Sequence, residues 1–304
     1  MKNILKDIVL KLIKENNIPI NNAGELIFGD GCLVLPAYIY KEKCYFKFFL
    51  NPNNLNKINS EIEIVTYLKE NESPVAEIIE INNKKLFNLQ LEKGINIYFF
   101  IVKAVEGDMD YNITEEMLEN IFEEIAIMHK KIKGFDQSKI NLEIYTDYQR
   151  LIEFYIKNYN FCLSENLSDY IKQIITISPE DTETYPIHSD LYFNNFIMKN
   201  NKLKCFIDFS DIRMSYFEDD FGKIFQFLLC NNKIDIKDIS KYLEIYESTS
   251  GIKLYKKNIY ISIIFRVIYR EYCKYKEDNT YKFDELCRKI LREILEEIDR
   301  SGNK

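Results

Sequence analysis

The chain has 304 residues, enough for one large or two medium domains with an ample core. Its apolar share of 46% and charged share of 29% are those of an ordinary globular protein, which excludes a collagen-like or disordered chain. A net charge of −7 argues against a nucleic-acid partner, because phosphate binding calls for a basic face, and it suits a cationic small molecule. The opening MKNILKDIVLKLIKENN carries acidic and basic residues within its apolar pattern and no small-residue cleavage site, so no signal peptide is expected. Ile4, Leu5, Ile8, Val9, Leu12 and Ile13 recur at helical spacing and predict an amphipathic helix over 3–16. Residues 24–50 then read as strands separated by turns, with Gly29-Asp30-Gly31 as a tight turn. Helical period returns through Ile58, Ile62, Val65 and Leu68, and strand-like runs follow at 75–81, 84–91 and 95–105.

Gly107 and Asp108 end that pattern. Helices are expected over 115–132, 147–163, 167–177, 218–230, 235–247, 253–275 and 281–300, with two short strands, NFIMK and KLKCFID, set among them. The chain therefore divides into a strand-rich lobe, 1–105, with one inserted helix, and a larger helical lobe, 106–304. No Pro/Gly-rich linker separates the two, so they are expected to share a cleft. Seven cysteines, none in a C-x-x-C pair, form neither a disulfide framework nor a zinc site; they read as buried thiols of a reducing cytoplasm. No apolar run reaches the length of a membrane span.

The stretch PIHSDLYFNNFIMKNNKLKCFIDFSD, residues 186–211, sets Asp190, Asn195 and Asp208 among apolar residues. A carboxylate in such surroundings needs a hydrogen-bond partner, a cation or a chemical task. Asn195 and Asp208 are hard-oxygen ligands suited to Mg²⁺, which prefers few carboxylates and completes its shell with water and phosphate oxygens. Asp190 is then left to orient or deprotonate an attacking hydroxyl, with His188 bracing the loop. Taken singly, each of these residues reads as a turn cap. The combination H-x-D-x-x-x-x-N, strand, turn, strand, I-D-F is much more specific.

That combination resembles the catalytic segment of the aminoglycoside phosphotransferase and choline kinase family, small-molecule relatives of the protein kinases. The family pattern H-G-D-L-H-x-x-N followed by I-D-F stands here as His188-Ser189-Asp190-Leu191-Tyr192-Phe193-Asn194-Asn195 and Ile207-Asp208-Phe209. Ser189 takes a place where the family often has Gly, and Tyr192 replaces a usual His. The resemblance implies an α+β, protein-kinase-like bilobal fold, with an antiparallel-sheet N-lobe holding one helix and a mainly helical C-lobe. It implies Asp190 as catalytic base, Asn195 and Asp208 as metal ligands, and Asp220 in EDDFGK as a brace for the loop. In the N-lobe it implies Lys47 of CYFKFFL on the nucleotide phosphates, Glu61 rather than Glu63 pairing that lysine, and Gly29 and Gly31 close to the phosphates. Backbone groups of 102–104, from Val102 to Ala104, are expected to hold the base. His129 is expected to be structural and away from the chemistry.

The expected activity is transfer of a phosphoryl group from ATP or GTP, with Mg²⁺, to a hydroxyl of a small molecule, foremost an aminoglycoside antibiotic. Asp211, Glu218 or Glu271 would meet its ammonium groups. Choline or ethanolamine, homoserine or a sugar are alternative acceptors, and a non-catalytic kinase-like binding protein is the rival class. Intact Lys47, Glu61, Asp190, Asn195 and Asp208 favour the enzyme, expected as a monomer or homodimer.

Overall fold

In the computed structural model, which describes residues 2–29, 32–49, 55–90, 96–109, 112–278 and 281–302, the chain opens with α1 (Lys2–Glu15). Strands β1 (Ile20–Asn21), β2 (Ile27–Phe28), β3 (Cys32–Ile39) and β4 (Glu42–Phe49) precede α2 (Leu55–Glu70). With β5 (Phe87–Gln90) and β6 (Asn96–Lys103) they form an antiparallel sheet of order β1-β3-β4-β6-β5, β2 lying on β3.

Register decides what each face of this sheet carries. Val34, Lys47 and Phe100 stand opposite one another across β3, β4 and β6, as do Leu35, Phe46 and Ile101 one step along. Successive side chains alternate between faces, so these two rows point in opposite directions. Phe46, Phe48 and Phe99 pack with Val9 and Ile13 of α1 in one core. The Phe48 and Phe99 rings lie 5.1 Å apart, a pairing that adds about 0.5–1.5 kcal/mol beyond area burial. The other face, through Cys32, Phe49 and Phe100, joins a core that runs on through α2 into the helices. A strand buried on both faces reads as a continuous apolar run, and Lys47 is the exception within it.

The expected strand at 75–81 makes only isolated bridges, Ile78 to Val102, Val75 to Phe206 and Ile81 to Lys84, so it straps β6 to the chain around Phe206. The helical part begins with α3 (Glu115–Ile132), whose first turn is capped by the Thr114 side chain accepting the Met117 N–H. A Thr146/Gln149 capping box starts α4 (Asp147–Lys157); α5 (Tyr159–Ser164) and α6 (Ser168–Thr176) follow. The single helix expected over 147–163 is broken at Asn158, whose side-chain amide donates to the Phe154 carbonyl at 3.0 Å and ends α4. Next come β7 (Tyr185–Ile187), the hairpin of β8 (Phe196–Lys199) and β9 (Lys202–Phe206), and β10 (Arg213–Ser215), which pairs with β7. The chain closes with α7 (Phe221–Cys230), α8 (Ile239–Ser250), α9 (Lys256–Glu277) and α10 (Glu285–Gly302).

Gly222 lets α7 approach α9: a Cβ there would stand 2.9 Å from Ser262 Cβ, closer than side chains tolerate. The seven cysteines are unbridged; Cys273 departs from the expected burial and is exposed. No helix among the described residues is long and apolar enough to cross a membrane.

Candidate active site

Lys47 leaves the sheet on the face turned toward the helices. Its Nζ stands 2.8 Å from Glu61 Oε1 and 2.9 Å from Asp208 Oδ1. Glu61 shares the inner face of α2 with Ile58, Ile62, Val65 and Leu68, whereas Glu63 is exposed. Burial works against the Lys47 charge, but Glu61 and Asp208 outweigh it and hold the ammonium above its ordinary value. Burial would likewise raise Asp208; Lys47 and Ser210 hold it well below the usual carboxylate range instead.

The loop after β7 is fixed from behind. Asp220 accepts the His188 N–H at 3.0 Å and the Ser189 N–H. His188 Nδ1 accepts the Asp190 N–H at 3.3 Å, leaving Nε2–H to donate to the Ile207 carbonyl at 3.0 Å, which ties the loop to the hairpin. Behind Asp220 lies His129, with Nε2 3.1 Å from Asp220 Oδ2, Nδ1 3.0 Å from the Tyr246 hydroxyl, and its ring stacked on Phe217. His129 thus has a structural place, touching the loop only through Asp220, two hydrogen bonds from the His188 and Ser189 N–H groups. Ser189 holds φ at +69°, a left-handed conformation that favours glycine. Two arginines anchor it there, Arg213 on its hydroxyl and Arg266 on its carbonyl at 3.0 Å.

Asn195 donates its amide to the Asp190 carbonyl at 2.9 Å and to Asp190 Oδ2 at 3.0 Å. Its own carbonyl accepts the Ile207 N–H at 2.9 Å, so Asn195 and Asp208 flank the base of the hairpin. Asn195 Oδ1 and Asp208 Oδ2 receive no hydrogen bond among the described residues, which leaves two hard oxygens for a cation. That donor set fits Mg²⁺ completed by water and phosphate oxygens. It does not fit a closed protein cage: no cluster of three or more His, Cys, Asp or Glu occurs among the described residues.

Other expected site residues fall differently. Val102 stands opposite Tyr45 on the Lys47 face. The Ala104 N–H donates to the Lys43 carbonyl at 3.0 Å and the Lys103 N–H to the Glu77 carbonyl at 2.8 Å, so these two donors are taken within the protein. The next N–H, at Val105, makes no such bond among the described residues. Gly29 donates its N–H to the Cys32 carbonyl at 3.0 Å, and Gly31 lies outside the described residues. Asp211 is exposed, 3.6 Å from Lys57. Glu218 and Glu271 are corrected, because both are buried structural acceptors. Glu218 takes the Tyr255 N–H at 2.9 Å before α9, and Glu271 takes Lys274 and the Asp284 N–H, tying α9 to α10.

Two features escaped the sequence. Lys223, in the first turn of α7, forms an ion pair with Asp190. Beneath Ser189, the fully buried Asp147 accepts Arg150 at 3.0 Å, Arg213 at 2.7 Å, Arg266 at 3.0 Å and the Ser262 hydroxyl at 2.6 Å. Burial would raise Asp147, but the three guanidiniums hold it well below the carboxylate range, while burial and Asp147 push neighbouring Asp219 up to about 7. The available signal was scarcity: arginine is rare beside lysine here, yet three arginines meet at one carboxylate. A cavity of about 1000 Å³ lies elsewhere, lined by Thr66, Lys69, Glu77, Ile79 and Lys103, and includes neither Lys47 nor Asp190.

An antiparallel sheet that presents a glutamate-paired lysine to an Asp and Asn held on a braced loop defines the protein-kinase-like fold of phosphotransferases. The chain belongs to the phosphotransferase enzyme family (APH), whose model matches residues 41–247. The amicoumacin kinase hAmiN, solved with AMP-PNP, Ca²⁺ and its antibiotic, superposes with a TM-score of 0.68 at 13% identity, covering 99% of this chain and 96% of its own. Spectinomycin phosphotransferase APH(9)-Ia, with ADP and spectinomycin, gives 0.59 at 14% identity, over 94% of this chain and 93% of its own. ADP-bound APH(2'')-Ib gives 0.57 at 17% identity, over 95% and 96%. At these identities the likeness is one of fold. No curated protein sequence matches the chain.

Proposed function

We propose that this chain transfers the γ-phosphoryl group of ATP or GTP to a hydroxyl of a small molecule. The observation that carries this is Lys47, held between Glu61 of the sheet lobe and Asp208 beside the Asp190 loop. Lys47 would bind the α- and β-phosphates, Gly29 would lie near them, and Val102 would line the base pocket. Asn195 and Asp208 would hold Mg²⁺, which supplies charge neutralisation on the β- and γ-oxygens. Asp190 orients the acceptor hydroxyl and takes its proton as the new O–P bond forms and the bond to the nucleoside diphosphate breaks. His188 and Asp220 keep that loop in place. Positioning and charge complementarity supply most of the rate. The test is nucleotide consumption by Asp190→Ala and Asp208→Ala, each expected to lose about 10²–10³-fold or more; full acceptor-dependent activity in both refutes the mechanism. A binding protein without turnover would take up Mg-ATP yet show no acceptor-dependent release of ADP.

An aminoglycoside-type antibiotic is the first acceptor to try, supported by the antibiotics bound in the structural neighbours and by the exposed Asp211. A specific observation favours a second reading, an alcohol without a dense ammonium array, such as a sugar or homoserine. Lys223 stands on Asp190, and Glu218 and Glu271 are sealed in the helical core. Choline and ethanolamine complete the panel. A coupled assay over these acceptors, run with ATP and GTP separately, decides between the two readings and the donor.

A further inference from the structure

The residue that braces the loop and the residue that touches its carboxylate come from one turn of chain. Asp220 takes the loop N–H groups, and α7 begins immediately after it. Three positions on, Lys223 reaches back to Asp190 Oδ1 across 33 positions of sequence, its ammonium 5.1 Å above the Tyr192 ring. Asn195 holds the other oxygen, Oδ2, at 3.0 Å. Asp190 is thus gripped by an amide on one side and an ammonium on the other.

The Lys223–Asp190 pair is more open than the Lys47–Glu61 pair. The Lys223 side chain is 31% exposed and that of Asp190 22%, against 9% for Lys47 and 5% for Glu61. Both partners are partly buried yet still reached by solvent, so the contact is within reach of an acceptor. Its ammonium sits on the one oxygen of Asp190 that Asn195 does not take, which is the oxygen available to an acceptor hydroxyl.

We propose that Lys223 is a positioning residue for the phosphoryl transfer. It aims Asp190 Oδ1 into the cleft and, held over the Tyr192 ring, keeps the carboxylate in that orientation as the acceptor hydroxyl takes the oxygen. The hydroxyl proton goes to Asp190, the bond to the nucleoside diphosphate breaks, and Lys223 keeps its proton throughout. The inference rests on the phosphoryl-transfer reading above and adds to it a cation supplied by a helix outside the 188–195 loop.

The experiment uses Mg-ATP with water as acceptor, beside calorimetric binding of Mg-AMP-PNP and the melting temperature, on the full chain. Lys223→Met is expected to lower kcat about 10–100-fold, with KM for ATP, Mg-AMP-PNP affinity and melting temperature close to native. Lys223→Arg, which keeps the charge, is expected to recover most of the rate. Lys223→Met added to Asp190→Ala is expected to cost nothing more, because Lys223 acts through Asp190. An active native chain whose kcat is indifferent to Lys223→Met overturns this inference alone, as does an equal loss in the Met and Arg variants. A native chain that neither binds Mg-AMP-PNP nor hydrolyses Mg-ATP overturns the phosphoryl-transfer reading and this inference together.

Discussion

His129 of α3 and Asp220, just before α7, meet side chain to side chain at 3.1 Å, both fully out of solvent. Through Asp220 the contact reaches the two N–H groups that shape the loop carrying Asp190. Replacing His129 by Ala removes one of the groups holding Asp220 Oδ2 and opens a void beside Phe217. It is expected to cost about 1–3 kcal/mol, measured by urea unfolding, and to lower turnover as the loop loosens. Tyr246→Phe removes only the outer bond of this chain of contacts, at 3.0 Å, and is expected to cost about 0.5–1.5 kcal/mol with turnover kept.

Lys47→Met separates the site from the fold. It removes the cation proposed to bind the nucleotide phosphates, so turnover is expected to fall about 10²–10³-fold. It also strands Glu61 in the interior, a loss of about 3–5 kcal/mol by analogy with broken buried pairs. Adding Glu61→Gln relieves the stranded charge, so the double variant is expected to regain melting temperature and no activity.

Asp219 gives stability a pH dependence of definite sign. Burial, with Asp147 beside it, raises it from 3.8 to about 7, so the folded chain holds a proton there that the unfolded chain has lost. Its contribution is complete below 3.8 and disappears as pH rises through about 7. Asp147 and Asp208, both held low, act in the opposite sense: their contribution is present above the ordinary carboxylate value and is lost on acidification. The Asp219→Asn variant removes the first effect and leaves Asp147 its three arginines. Between about pH 4 and about pH 7 the native melting temperature is therefore expected to fall relative to that of Asp219→Asn. Parallel melting curves for the two would contradict the placement of Asp219.

Gly222→Ala tests the approach of α7 to α9. The new Cβ would press on Ser262, whose hydroxyl holds Asp147 at 2.6 Å. Overpacking of this kind costs about 1–3 kcal/mol. Urea unfolding is the measurement, and an unchanged midpoint would mean that the helices part without penalty.

Much of this site was legible because its signals are local. Lys47 stands out as a cation inside the apolar run Cys44–Phe49 of β4, and Glu61 falls on the buried stripe of α2. Asp190 and Asn195 lie on one loop, only five positions apart. The misses share a cause, since each depends on a partner far along the chain. Arg213 and Arg266 reach Asp147 from 66 and 119 positions away, with no periodicity to announce them. That the Ala104 N–H is claimed by the Lys43 carbonyl is likewise decided by strand register and not by local sequence. Glu218 and Glu271 look like surface acids until the backbone N–H groups of Tyr255 and Asp284 are brought to them.

The alternation along β4 has a consequence for how this protein can fail. Phe46 and Phe48 feed the α1 core, while Lys47 between them faces Asp208. Were β4 to slide by one residue against β3 and β6, every side chain would change sides. An ammonium would then lie against Val9 and Ile13, and a phenyl ring would face Asp208. Such a chain could retain much of its secondary structure and still be inert. Turnover therefore works as a parity check on this sheet, sensitive to an odd shift that bulk measures of folding would pass.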